Sequence, residues 1–103
     1  MIRLRVKDIV FEDLAEIKSY LHTQNANNYF IEFKDSIKKC YTNLKLFPLM
    51  GTEVKSRKFK QYRYILIDKY YVFYTFDDET VIIQTILHSA RNYKRVLQSI
   101  LPE

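Results

Sequence analysis

Tyr62-Arg63-Tyr64-Ile65-Leu66-Ile67, Tyr70-Tyr71-Val72-Phe73-Tyr74-Thr75-Phe76 and Val81-Ile82-Ile83-Gln84-Thr85-Ile86-Leu87-His88 are three runs dense in aromatic and β-branched residues. That composition favours strands. Asp68-Lys69 parts the first two runs, and Asp77-Asp78-Glu79 parts the second from the third. Both gaps suit hairpin turns, so the runs predict an antiparallel meander. Its middle strand is apolar on both faces, with Tyr70, Val72, Tyr74 and Phe76 on one and Tyr71 and Phe73 on the other. Each face therefore needs a cover.

Upstream of the meander the periodicity is helical. Val10, Leu14, Ile17 and Leu21 form one stripe, and Asp8 is placed to cap it. A second stripe runs through Ala26, Tyr29 or Phe30, Phe33, Ile37, Cys40 or Tyr41, and Leu44, with Asn25 or Asn27 as its cap. Pro48 and the sole glycine, Gly51, end it. Two helices joined by a few polar residues predict an antiparallel hairpin. Before them, Ile2, Leu4 and Val6 alternate with Arg3, Arg5 and Lys7, the pattern of a half-buried strand. Thr52 to Lys60 is polar and cationic, a loop or sheet edge. After the meander, Tyr93, Val96, Leu97, Ile100 and Leu101 mark a final amphipathic helix, with Pro102 beyond. The class is α+β: strand, helical hairpin, three-stranded antiparallel meander and short C-terminal helix. The hairpin covers one sheet face. Either the last helix covers the whole of the other, or an apolar groove stays open as a partner site.

The 103 residues suit one domain spanning residues 1–103. A net charge of +5 favours acidic partners. Lys18, Lys34, Lys38, Lys39 and Lys45 read as a solvated helix face. One cysteine, Cys40, cannot form an internal disulfide, which agrees with a cytoplasmic location. It falls on the apolar stripe, so its role is packing. No stretch approaches the ~20 apolar residues that span a bilayer, and no membrane association is expected.

Two histidines in separate elements, His22 and His88, give no zinc spacing. His22 reads as structural or solvated. A single glycine cannot build a phosphate-cradling loop. Neither a metal nor another cofactor is expected. Metal-free acid–base chemistry on RNA remains: a base for the 2′-hydroxyl, an acid for the leaving 5′-oxygen, and cations at phosphorus. His88 suits either proton role. Arg63 and Arg91 could grip the phosphate, and Lys58 and Lys60 could add point charges. Tyr93 could orient substrate, stack on a base or donate a proton, or it could be core. Arg57, Lys94 and Arg95 complete the candidate substrate-binding set. Strand register decides whether Arg63, His88 and Arg91 converge.

The element order resembles the RelE/ParE superfamily of bacterial toxins from type II toxin–antitoxin modules. The matching residues are Phe47-Pro48-Leu49-Met50-Gly51, Tyr62-Arg63, Val72-Phe73-Tyr74, and Ile86-Leu87-His88 with Arg91. The resemblance implies a small cytoplasmic toxin held by a cognate antitoxin, with operator DNA contacted only through that antitoxin. RelE-like members cut mRNA on the ribosome without metal; ParE-like members inhibit DNA gyrase. The arginine usual early in the middle strand of RelE-like ribonucleases is missing from Lys69-Tyr70-Tyr71-Val72. Arg91 and Tyr93 match the later positions, and Lys58 and Lys60 approximate the paired lysines. The Phe-Pro-x-x-Gly and Ile-Leu-His-x-x-Arg elements look more like ParE. His88 tips the expectation to a ribosome-dependent mRNA endoribonuclease, with gyrase inhibition as the alternative.

Overall fold

The computed structural model describes residues 2–100. Its order is β1 (Arg3–Val6), α1 (Asp8–Thr23), α2 (Asn27–Leu46), a 3-10 turn (Pro48–Met50), β2 (Thr52–Glu53), β3 (Arg63–Ile67), β4 (Tyr70–Phe76), β5 (Thr80–His88) and α3 (Tyr93–Ile100). The meander is present, but it is the centre of a five-stranded sheet in the order β1-β5-β4-β3-β2. β1 runs parallel to β5, and the other neighbours are antiparallel. Leu101 and Pro102, and the side chain of Ile100, lie outside the described residues.

Helix ends depart from the sequence expectations. α1 begins on Asp8 itself; Lys7 holds the cap position without a side-chain bond. Asp8 instead adds negative charge to the first turn, where the helix dipole favours it. Neither Asn25 nor Asn27 caps α2, whose cap residue is Ala26. Asn25 has φ 55 and closes α1. Its N–H donates to His22 O and that of Ala26 donates to Leu21 O, at 3.1 and 2.8 Å. This is a Schellman closure with asparagine in the left-handed position.

The sheet separates two cores. On one face α1 and α2 bury Val10, Ile17, Phe33, Ile37 and Leu44 against Val72, Tyr74, Val81, Ile83 and Ile86. On the other, Phe73 and Leu87 are covered by Leu97 of α3 and by Val54, Phe59 and Tyr62. α3 and the segment expected to be polar loop or edge together cover the centre of this face, while Leu66 at its margin stays 55% exposed.

A one-residue bulge in β5 sets which side chains reach which core. Phe73 pairs with Thr85 but Tyr74 pairs with Ile83, so Gln84 is the extra residue. Gln84 is buried, and its Nε2 donates to Thr75 Oγ1 at 2.9 Å. Before the bulge, Val81 and Ile83 face the helical hairpin; after it Ile86 does. The parity of the strand has switched, as an inserted residue requires.

Gly51 anchors the corner after α2. Its N–H donates to Tyr74 Oη at 2.9 Å, and that hydroxyl donates to Pro48 O at 2.6 Å. A Cβ at Gly51 would sit 2.5 Å from Tyr74 Oη and 2.9 Å from Tyr64 O. The corner needs glycine because of this close approach. Gly51→Ala is expected to lower stability by about 1–3 kcal/mol through overpacking. Tyr74→Phe should cost a similar amount by stranding two backbone groups, about 1–3 kcal/mol. Urea denaturation midpoints of both variants check this; unchanged midpoints would remove the anchor from the account.

Candidate functional site

His88 ends β5 directly opposite Tyr70 of β4. Residues directly opposite across a ladder share a face, so its ring lies on the hairpin side. It meets Tyr70 edge-on, with ring centroids 5.1 Å apart. The N–H of Ala90 donates to His88 Nδ1 at 3.0 Å. That bond assigns the neutral ring a proton on Nε2. The lone pair a general base needs is thus already engaged by backbone.

A cavity of about 300 Å³ opens beside the ring, lined by Asp13, Glu16, Ile17, Tyr20, Tyr70, Ile86, Leu87, His88 and Arg91. Of the expected set, only His88 and Arg91 come together here. The sequence reading missed Asp13, Glu16 and Tyr20, which no motif on α1 marks, and took Tyr70 of β4 only as an apolar strand residue. Asp13 Oδ2 accepts from Thr85 Oγ1 at 2.7 Å and from Ile86 N at 3.0 Å. β1 pairs with β5 only as far as Ile83, so Asp13 satisfies the strand edge that β1 leaves bare. Burial raises the Asp13 carboxyl above its ordinary value of 3.8, against the lowering effect of those two bonds. Two carboxylates beside one guanidinium make a poor seat for a phosphodiester.

A second cavity of about 300 Å³ continues past Tyr20, Tyr70 and His88 to Tyr29, Asp68 and Lys69. Tyr29 donates its hydroxyl to Asp68. Burial first, then Asp68, push that phenol above its ordinary range. Asp68 itself sits at φ 52 in the two-residue β3–β4 turn.

Arg63 does not reach His88. On β3 it pairs with Tyr74 of β4, whereas His88 on β5 pairs with Tyr70 of β4. The two are two strands apart and offset by four residues, about 13 Å along the strand. Its guanidinium donates to Gly51 O at 2.7 Å and Leu49 O at 3.3 Å, and bonds Glu53 Oε1 at 3.1 Å. It also lies over the Phe76 ring, 5.9 Å from the centroid. Arg63 ties the 3-10 corner to the sheet.

Tyr93 lies on the opposite face from His88. Its ring packs against Tyr71, Phe73 and Tyr64, at 5.6, 5.4 and 6.2 Å between centroids. Burial, then Tyr64 and Tyr71, raise its phenol. Lys58 lies over the Phe59 ring at 5.7 Å, with Arg57 and Lys60 exposed on the same segment and Lys94 and Arg95 exposed on α3. The expected site is thus divided by the sheet. Cys40 is buried and its thiol is pushed up to about 11, as a packing residue should be. Among the described residues, no group of three or more His, Cys, Asp or Glu is arranged to hold a metal.

The fold and a family match place the chain in the RelE/ParE superfamily of toxins. Residues 4–93 match the model of the ParE toxin of type II toxin–antitoxin systems, and the chain belongs to that family. Among solved structures it resembles the chromosomal ParDE system from P. aeruginosa, with a TM-score of 0.70 and 13% identity over 85% of this chain and 96% of that one. It also resembles the RelBE2 toxin–antitoxin complex from Mycobacterium tuberculosis, with a TM-score of 0.57 and 20% identity over 84% and 96%. YafQ from E. coli gives 0.57 and 12% over 87% and 96%. No curated protein matches the sequence. Among the described residues, no helix is long and apolar enough to cross a membrane.

Two outcomes are expected of this arrangement. Arg63→Ala should lower stability by about 2 kcal/mol, since hydrogen bonds from a charged donor are lost; chemical denaturation measures it. Asp13 has a raised native value, so it adds stability below the ordinary carboxylate range and loses it as pH rises through the raised value. The stability difference between wild type and Asp13→Asn should therefore move in the wild type's favour on going from neutral to acid pH. A difference that stays flat would show Asp13 is not desolvated.

Proposed function

We propose that this toxin acts by binding and obstructing DNA gyrase, and that it does not cleave RNA. The observation that carries this reading is the division of the expected catalytic set. His88 sits on the hairpin face beside Asp13 and Glu16, Tyr93 is held on the other face, and Arg63 is engaged in the corner. Among the described residues, Arg91 alone of the expected partners lines the His88 cavity, and it does so beside two carboxylates. Membership of the ParE family supports the same branch.

A ridge of exposed apolar side chains supports a protein target. Leu46, Phe47, Leu49 and Met50 stand out around the 3-10 turn, 47–66% exposed. Tyr74 and Arg63 hold that turn by its backbone. A fixed apolar projection of this kind marks a protein contact. Further apolar groups stand on the hairpin, at Phe11, Tyr20 and Ile31. They offer a footing for a cognate antitoxin, which neutralises the toxin by covering it. The mRNA-cleaving alternative rests on His88 and Arg91 sharing a cavity wall.

Purified toxin should block supercoiling and trap gyrase on DNA, while ribosome-bound mRNA stays intact. His88→Ala should leave the supercoiling block within about twofold, because a ring outside any reactive centre contributes little to it. Codon-positioned mRNA cuts that disappear in His88→Ala would overturn this reading in favour of the ribonuclease.

A further inference from the structure

We propose that the sheet face opposite the helical hairpin binds the phosphate backbone of duplex DNA. It would be the toxin's second contact in a gyrase–DNA complex; that setting rests on the target proposed above, while the DNA contact stands on the face itself. Three segments build the face. β1 packs Leu4 and Val6 on the hairpin core, so the alternation turns Arg3 and Arg5 to the other side. The segment 54–62 and α3 both bury apolar side chains against Phe73 and Leu87. Their exposed residues include Lys55, Arg57, Lys60, Lys94 and Arg95.

Charge is segregated onto these segments. They carry eight cations (two on β1, four on 54–62, two on α3) and not one acid. The whole chain is only +5, so the remainder is net negative. The carboxylates Asp13 and Glu16 line the cavity on the hairpin side. The five lysines of α1 and α2 are offset by six acids on the same helices, so the uncompensated positive charge lies on the far face and draws a polyanion there.

The chemistry of the face distinguishes duplex from single strand. Proteins that hold single-stranded RNA or DNA present exposed rings on which bases stack. Here most ring surface is engaged: Phe59 and Tyr62 are buried, and the half-buried Tyr93 packs into the cluster of Tyr64, Tyr71 and Phe73. What remains outside is flexible positive charge on a firm base. That suits phosphates whose bases are already paired and stacked, and it reads no sequence.

Fluorescence anisotropy of the full toxin with a labelled mixed-sequence DNA duplex, and with single-stranded RNA of equal length, tests this across a salt series. About four neutralised phosphates would give a log–log salt slope near −3.6, so affinity should fall roughly 100-fold between about 50 and 200 mM salt. Duplex should bind more tightly than RNA. The double variant Lys94→Gln/Arg95→Gln should weaken duplex binding about 10-fold and flatten the slope by about 2, with its thermal midpoint unchanged. Preference for RNA, salt-insensitive binding, or an unaltered double variant would each overturn the proposal. Supercoiling is measured alongside. A supercoiling block without duplex binding sinks the DNA face and spares the target; duplex binding without a block does the reverse.

Discussion

The extra residue in β5 is the constraint on which the functional reading depends. A strand with unbroken alternation that turns Val81 and Ile83 to the hairpin must turn His88 away from it. The bulge at Gln84 reverses that parity over the last turn of the ladder. Ile86 and His88 then join the hairpin side while Leu87 joins the far core. Thr75, which receives the Gln84 amide, holds the insertion in place. One residue of irregularity thus separates the imidazole from Tyr93 and from the cations of α3, Lys94 and Arg95, while Arg91 stays beside it.

Both faces of β4 are apolar, so neither can be left to water. That demand recruits α1 and α2 on one side and α3 with the 54–62 segment on the other. The second cover is small, eight helical residues and a loop, and its charged positions are all cationic. The first cover is larger and carries the acids that meet His88. Burial on two sides therefore produces two surfaces of different electrostatic character on one small protein. The corner at Gly51 adds a third element, an apolar projection fixed by Tyr74 and Arg63.

Much of the architecture was legible. The stripes of α1 and α2 read correctly because tertiary burial follows their 3.6-residue period, and β4 was bounded by its turn residues. The cationic stretch Lys55–Lys60 hid its contribution to the core. Val54, Phe59 and Tyr62 have no regular spacing, so no periodic pattern marked them as buried. β2, two residues long, is an edge defined only by its pairing with β3. Asn25 looked like a cap for the next helix but closes the previous one, since asparagine serves both geometries. The site was less legible for one reason. His88 and Tyr93 are five residues apart, and composition cannot say that a bulge and a turn send them to opposite sides. Arg63 likewise shows its partners only through register.

The placement of the His88 ring can be measured in solution without reference to any activity. Nuclear Overhauser contacts from its carbon-bound ring protons report what surrounds it. The ring should show contacts to Tyr70 and to residues of α1 such as Tyr20, and none to Tyr93. Contacts between His88 and Tyr93, with those to Tyr70 missing, would mean the parity switch at Gln84 is absent and the acid–base site is whole.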